Sequence, residues 1–242
     1  MSVEIIAEVS SNHGGDLILA KEFIHACAEH GADWVKFKTT RVKHLSPADP
    51  QYEWFKRAEL SDDAHYELKA ECEKVGVKFL TTVYNAAEVP FLASLGLEAI
   101  KIGSGEMMEQ DLAAAVLAAD FPRVIVACGI QALFANACPF DSMRTQYLFG
   151  HSRYPCPPWL ATAPGSGYGK WCYDGWTDHC VGIDACRAAI MAGATIIEKH
   201  VQLPNQARPA KPYEATMAEL KELRQFADED PQEKYIGRWQ FV

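Results

Sequence analysis

No stretch of the chain reaches the roughly 18 consecutive apolar residues that a membrane-spanning helix needs, so no membrane partner is expected. Positive charge is in deficit: 23 Lys+Arg stand against 32 Asp+Glu, a formal net charge of −9. That balance excludes the basic face with which a duplex nucleic-acid binder neutralises phosphates. The opening MSVEIIAEVSSNHGG lacks the charged-then-apolar layout of a secretory leader and reads as a strand, so a cytoplasmic protein is expected. None of the eight cysteines forms a CxxC pair, and most lie in helix- or strand-like runs, which favours reduced, buried thiols over a disulfide or zinc framework. Internal repeats, low-complexity tracts and an interdomain linker are also missing. The 242 residues are therefore read as one domain, 1–242, a length that suits a single α/β barrel.

What is present is alternation. Short β-branched runs at 4–10, 33–39, 78–83, 99–104, 123–129, 145–152, 172–178 and 195–201 read as strands, with helical patterns between them. Eight strands with intervening helices predict a (β/α)8 TIM barrel. Leu19, Phe23, Ile24 and Cys27 form the apolar stripe of a first helix that Gly31 stops. Ser61, Asp62 and Asp63 open a second that runs to Gly76. Further helices are expected at 88–95, 111–119, 182–192 and 216–226, the last capped by Thr216. The connections 130–144 and 153–171 are too rich in Pro and Gly, or too short, for full helices, so helices five and six are expected to be shortened or replaced by loops. Those loops and the strands beside them carry Phe140, Tyr147, Phe149, Trp159 and Leu160, with Leu133, Phe134 and Trp171. An apolar side of that kind suggests a homodimer contact.

In such a barrel the C-terminal strand ends form the active face, and period-two alternation selects the residues that point inward. Glu8, Lys36, Lys38, Thr82, Lys101, Ser104, Glu106, Thr177, Asp178, His179, Glu198 and His200 all fall at these ends. Ionisable groups are costly to bury unless they meet one another, and strands that close on each other let them meet. Lys36, Lys38, Lys101 and Arg153 gather cations in an acidic chain, which suits a small anionic substrate. His179 and His200, each beside an acidic residue, suit a metal pair, and equally a structural or acid–base role.

The blocks AEVSSNHGG (7–15), GADWVKFKT (31–39), FLTTVY (79–84), IKIGSGE (100–106), SRYP (152–155), TDHCVGIDA (177–185) and GATIIEKH (193–200) resemble the sialic acid synthase family, in order along the chain. The resemblance implies a metal-dependent condensation of phosphoenolpyruvate with an aldose, giving a 3-deoxy-2-ulosonic acid and phosphate. It implies His179 and His200 as ligands of a divalent metal, Mn2+ or Mg2+. Lys36, Thr82, Lys101 and Ser104 would hold phosphoenolpyruvate, and Glu8, Glu106, Tyr154 and Glu198 would line the aldose side. Asp178 is grouped with the catalytic carboxylates, and Asn12, Lys38, Arg153 and Thr177 with the substrate-binding residues. Lys38 stands where the family usually has Gln, and Ala127-Cys128 where it has Ser-Thr. The chain ends at Val242 without the family's C-terminal antifreeze-like domain, so a short form with altered acceptor choice is expected. Another metal-dependent aldolase or lyase, or a non-catalytic binding paralogue, are the alternatives.

Overall fold

The computed structural model describes residues 3–129, 138–161 and 173–229. Eight parallel strands close into a barrel in chain order: β1 (Glu4–Ser10), β2 (Trp34–Thr39), β3 (Lys78–Val83), β4 (Ile100–Ile102), β5 (Val124–Cys128), β6 (Thr145–Gly150), β7 (Gly175–Asp178) and β8 (Ile196–His200). Each lies within its predicted span; the expected start of β7 at Cys172 is outside the described residues. Around the barrel run α1 (Leu17–Glu29), α2 (Tyr52–Ala58), α3 (Asp62–Val75), α4 (Val89–Ser94), α5 (Gln110–Ala118), α6 (Asp184–Met191) and α7 (Met217–Asp228).

The helices start and stop where capping chemistry dictates. Asp16 accepts from the amides of Ile18 and Leu19 to open α1, whose stripe Leu19, Phe23, Ile24 and Cys27 is buried. Ser61 accepts from Ala64 to open α3, and Gly76, at φ 82°, ends it in the left-handed region. Thr216 and Glu219 form a reciprocal capping box on α7. Helix α2 was not foreseen, because seven residues give less than two full turns of periodicity to read.

The barrel interior is layered. Ile6, Trp34, Leu80, Ala99, Ile125, Leu148 and Ile196 form one apolar cluster, six of them from strands and Ala99 from the position just before β4. At the N-terminal end, Arg123 pairs with Glu4 at 2.7 Å and donates to Gln146, and it lies 5.3 Å from the Trp34 ring. Two residues further along the strands the alternation returns to the same face, and there the side chains are Glu8, Lys36, Thr82, Lys101, Ala127 and Glu198. The floor of the active face is thus set by period two acting on an apolar layer. Outside the strands a second apolar layer, including Phe23, Val35, Leu68, Val126 and Leu220, seals the barrel against the helices.

On the side of β5 and β6, the only helical turn between β6 and β7 among the described residues is the short 3-10 segment Pro158–Leu160. Phe140 and Cys138 fold into the core there, and Phe149 packs against Tyr173 and Trp176 at ring separations of 5.0 and 5.7 Å. Loop residues therefore supply part of the missing cover. Trp159 stays 75% exposed, and Leu133, Phe134 and Trp171 lie outside the described residues.

A buried ion pair sits on the outer face of the barrel. Lys199 on β8 and Asp178 on β7 are fully buried and 2.5 Å apart. Lys199 also donates to the Cys180 carbonyl at 2.6 Å, and Trp176 Nε1 donates to Asp178 at 2.8 Å. Asp178, expected among the catalytic carboxylates, is therefore turned away from the active face. Thr177 points inward, so the next residue must point out. The pair staples the two strands that carry both histidines. Asp178→Ala strands a buried ammonium and should cost about 3–5 kcal/mol, whereas Asp178→Leu with Lys199→Met should cost much less. Urea unfolding of the two variants measures the difference.

Candidate active site

The active face holds a cavity of about 300 Å³. Glu8, Lys36, Lys38, Thr82, Lys101, Ser104, Glu106, Tyr154, Thr177, His179 and Glu198, all singled out from the sequence, line it. Lys36 is its centre. Its ammonium lies 2.5 Å from Glu8 Oε2 and 2.9 Å from Glu198 Oε2, and all three groups are buried. The strand register brings them together, with Glu8 opposite both Lys36 and His200. Burial alone would strip the proton from Lys36, but Glu198 and Glu8 outweigh it and its pKa is raised. Burial likewise opposes charge on Glu198, yet Lys101 and Lys36 hold its carboxyl well below the usual range.

Lys101 is less compensated. It donates to the Ile102 carbonyl at 3.0 Å and reaches Glu198 only at 3.8 Å. Its burial, reinforced by Lys36, brings its pKa down to about 8. Lys38 makes no ion pair or hydrogen bond among the described residues, and burial lowers its pKa too. Glu106 folds back over the tight Gly103 turn; a Cβ on Gly103 would stand 2.4 Å from its carboxylate oxygen. Burial raises the Glu106 pKa, as suits a group that takes and returns a proton.

His179 and His200 sit side by side with ring centroids 5.4 Å apart. His179 Nδ1 donates to the His151 carbonyl at 2.7 Å, which fixes the tautomer and leaves Nε2 with a free lone pair. Burial holds the His179 pKa near 4, and burial with the neighbouring His179 pushes His200 well below its ordinary value. Both are neutral imidazoles at pH 7. His200 Nδ1 is buried with no hydrogen-bond partner, a donor set short of something to bind. Among the described residues no three His, Cys, Asp or Glu side chains converge as a complete metal cage. The two neutral imidazoles, side by side, are the residues that would hold a divalent cation.

Three expected residues lie elsewhere. Asp178 faces the helices, as described. Arg153 is exposed on the loop after β6 and does not line the cavity. Asn12 is buried but spent: its side chain donates to the Val201 carbonyl at 3.0 Å and accepts from Arg208 at 2.9 Å, tying the loop after β1 to that after β8. Two lining residues were missed. Tyr84 lies two residues past Thr82, one step beyond the expected strand 78–83, and Ser152 lies two past Gly150, at the last position of the expected strand 145–152, so carrying the alternation through would have found both. Ser104, Ser152 and the Gly129 amide converge: the amide donates to Ser104 Oγ at 2.9 Å, and a Cβ on Gly129 would lie 2.6 Å from Ser152 Oγ. The two hydroxyls are small donors that suit an oxyanion, while the Gly129 amide positions Ser104.

A closed barrel with its charged face at the strand C-terminal ends has the layout of a barrel enzyme, and comparison with known proteins places it further. Residues 23–234 match the NeuB family, to which this chain belongs. It is 31% identical to the N,N'-diacetyllegionaminic acid synthase of Legionella pneumophila, over 93% of this chain and 71% of that protein. It is 29% identical to the human N-acetylneuraminate-9-phosphate synthase, over 82% of this chain and 62% of that protein. The fold superposes on an N-acetylneuraminic acid synthetase from Leptospira borgpetersenii with a TM-score of 0.83 at 24% identity, covering 100% of this chain and 87% of that one.

If burial governs Lys101, its ammonium should titrate near pH 8 in the ligand-free protein while Lys36 stays charged well above that. NMR of lysine labelled at the side-chain nitrogen, assigned with Lys101→Met, measures both. A Lys101 titration near the ordinary 10.5 would remove the cause assigned to it.

Proposed function

We propose that this protein condenses phosphoenolpyruvate with an aldose, in a divalent-metal-dependent reaction that yields a 3-deoxy-2-ulosonic acid and phosphate. The observation that carries the proposal is the charge arrangement of the cavity. One ammonium is locked between two carboxylates, two further ammoniums are under-compensated, and a small-donor cluster stands beside them. Phosphoenolpyruvate brings a carboxylate and a phosphate on three carbons. Lys101 and Thr82, with Lys36 behind them, suit its carboxylate, and the hydroxyls of Ser104 and Ser152 suit its phosphate.

Mn2+ or Mg2+ held by His179 and His200 would polarise the aldehyde carbonyl. The chain's own residues do the rest. Thr177 donates to Glu198 Oε1 at 3.0 Å and fixes the carboxylate that holds Lys36. Lys36 and Lys101 stabilise the phosphate and carboxylate charges of the substrate as positive character develops at C2. C3 of phosphoenolpyruvate bonds to the aldehyde carbon, whose oxygen takes up a proton. Glu106 takes a proton from the water that adds at C2, and collapse of that adduct breaks its C2–O bond to the phosphate, which leaves. Tyr154, its ring tilted against that of His179 at a centroid distance of 4.0 Å, and Glu8 border the aldose.

Phosphate release from phosphoenolpyruvate over an aldose panel, with and without Mn2+, tests the reading. Release should require both substrates and the metal, and His179→Ala and His200→Ala should lose bound Mn2+ as well as turnover. Equal metal content in wild type and both variants would sink the metal assignment. Binding without release across the panel would favour a non-catalytic paralogue.

The homodimer belongs to the same proposal. Trp159, 75% exposed, and Met143, fully exposed, lie on the thin side of the barrel. Light scattering should give about twice the chain mass of 26.8 kDa, and Trp159→Glu should shift it toward monomer. A wild-type monomer at micromolar concentration would assign that side to its own loops.

A further inference from the structure

A second cavity of about 400 Å³ opens beside the first, between the loops that follow β2 and β3. The two share Lys38, Tyr84 and Glu106 as lining, so these three residues form a neck between them. The second cavity is walled in part by Leu45 and by Phe55 of α2, the helix that the sequence did not announce. None of the residues assigned above to phosphoenolpyruvate, water or metal needs this space.

The other charges on its rim are spent on one another. Arg41 donates to Glu88 at 3.2 Å and to the Leu60 carbonyl, and it pairs with Asp62. Lys43 and His44 both reach Glu88 Oε1, at 2.8 and 3.1 Å. Asn85 gives its side-chain oxygen to the Ala87 amide. At the neck the position is reversed. Lys38 Nζ carries three N–H donors with no partner among the described residues, and the Tyr84 hydroxyl has none there either. Burial raises the Tyr84 pKa well above its ordinary value, so the hydroxyl stays a donor. Glu106, the one acid at the neck, is held toward its neutral form by its own burial.

An unspent ammonium and a phenol at the mouth of an otherwise neutralised cavity call for an oxyanion. We propose that the second cavity is the subsite for an anionic substituent, phosphate or carboxylate, at the far end of the acceptor aldose, and that Lys38 anchors it. The inference rests on the synthase reading: the aldehyde end belongs with the imidazoles of β7 and β8, and an open-chain sugar leaving them toward β2 and β3 reaches the neck. The unpaired Lys38 thereby becomes the residue that selects the acceptor.

The test compares N-acetylmannosamine, its 6-phosphate and mannuronate as probes with the wild-type protein, Lys38→Gln and Lys38→Arg. Steady-state phosphate release gives KM for each probe, and calorimetry gives its binding directly. At least one anionic probe should be favoured over the neutral sugar by about tenfold, the two anionic arms separating phosphate from carboxylate. Lys38→Gln should bring the ratio to within about threefold of unity, and Lys38→Arg should keep it. If no pair releases phosphate, the synthase reading fails, while the calorimetric ratio still reports on the subsite. The proposal is overturned by a wild-type preference for the neutral sugar, by no detectable binding of either anionic probe, or by a preference that survives Lys38→Gln. An effect of Lys38→Gln confined to KM for phosphoenolpyruvate overturns it as well.

Discussion

Lys36 between Glu8 and Glu198 is the constraint on which the rest of the site depends. Three ionised groups in a water-poor barrel are tolerated only while each has the others, because an unpaired charge there would cost several kcal/mol. The three come from adjacent strands β2, β1 and β8, and their meeting requires the barrel to close in one register. Closure of the fold and assembly of the site are the same event. The oxygen left over, Glu8 Oε1, is buried without a hydrogen-bond partner, so the cluster keeps unused capacity toward whatever enters the cavity.

The layers below and behind the cluster serve it. The apolar ring from Ile6 to Ile196 excludes water from beneath the charges, which strengthens every interaction above it. Behind, the Asp178–Lys199 pair alternates along the chain with the inward residues: Asp178 stands between Thr177 and His179, and Lys199 between Glu198 and His200. Each strand thus carries site chemistry on one face and a fixed anchor on the other. The imidazoles are held neutral by the same burial, His179 near pKa 4, so they keep lone pairs for a cation in a pocket crowded with ammonium groups.

Most of this was legible because it obeys a two-residue period. Glu8, Lys36, Thr82, Lys101, Thr177 and Glu198 each follow an apolar or glycine position of the same strand by two, and the family blocks pointed to the same residues. The failures are failures of parity or of range. Asp178 and Arg153 each directly follow an inward residue, Thr177 and Ser152, and so turn away. Tyr84 continues the period one step past the end of its expected strand, and Ser152 closes the period of the expected strand 145–152 without having been singled out. Asn12 works between two loops, a relation that no local pattern carries. The second cavity is likewise made by the loops after β2 and β3 with α2, a seven-residue helix too short to register as one.

The central claim is that a partly compensated cationic layer, set by burial inside the barrel, binds the small anionic substrate. Calorimetric titration of the wild-type protein with phosphoenolpyruvate, from about pH 7.5 to about pH 10, tests it most directly, since the ligand's own ionisation is then complete. Lys101 is protonated below its pKa of about 8 and loses its charge above it, whereas Lys36 keeps its proton. Affinity should therefore hold below pH 8 and fall as the pH rises through that value, without vanishing. Constant affinity across the range would contradict the account.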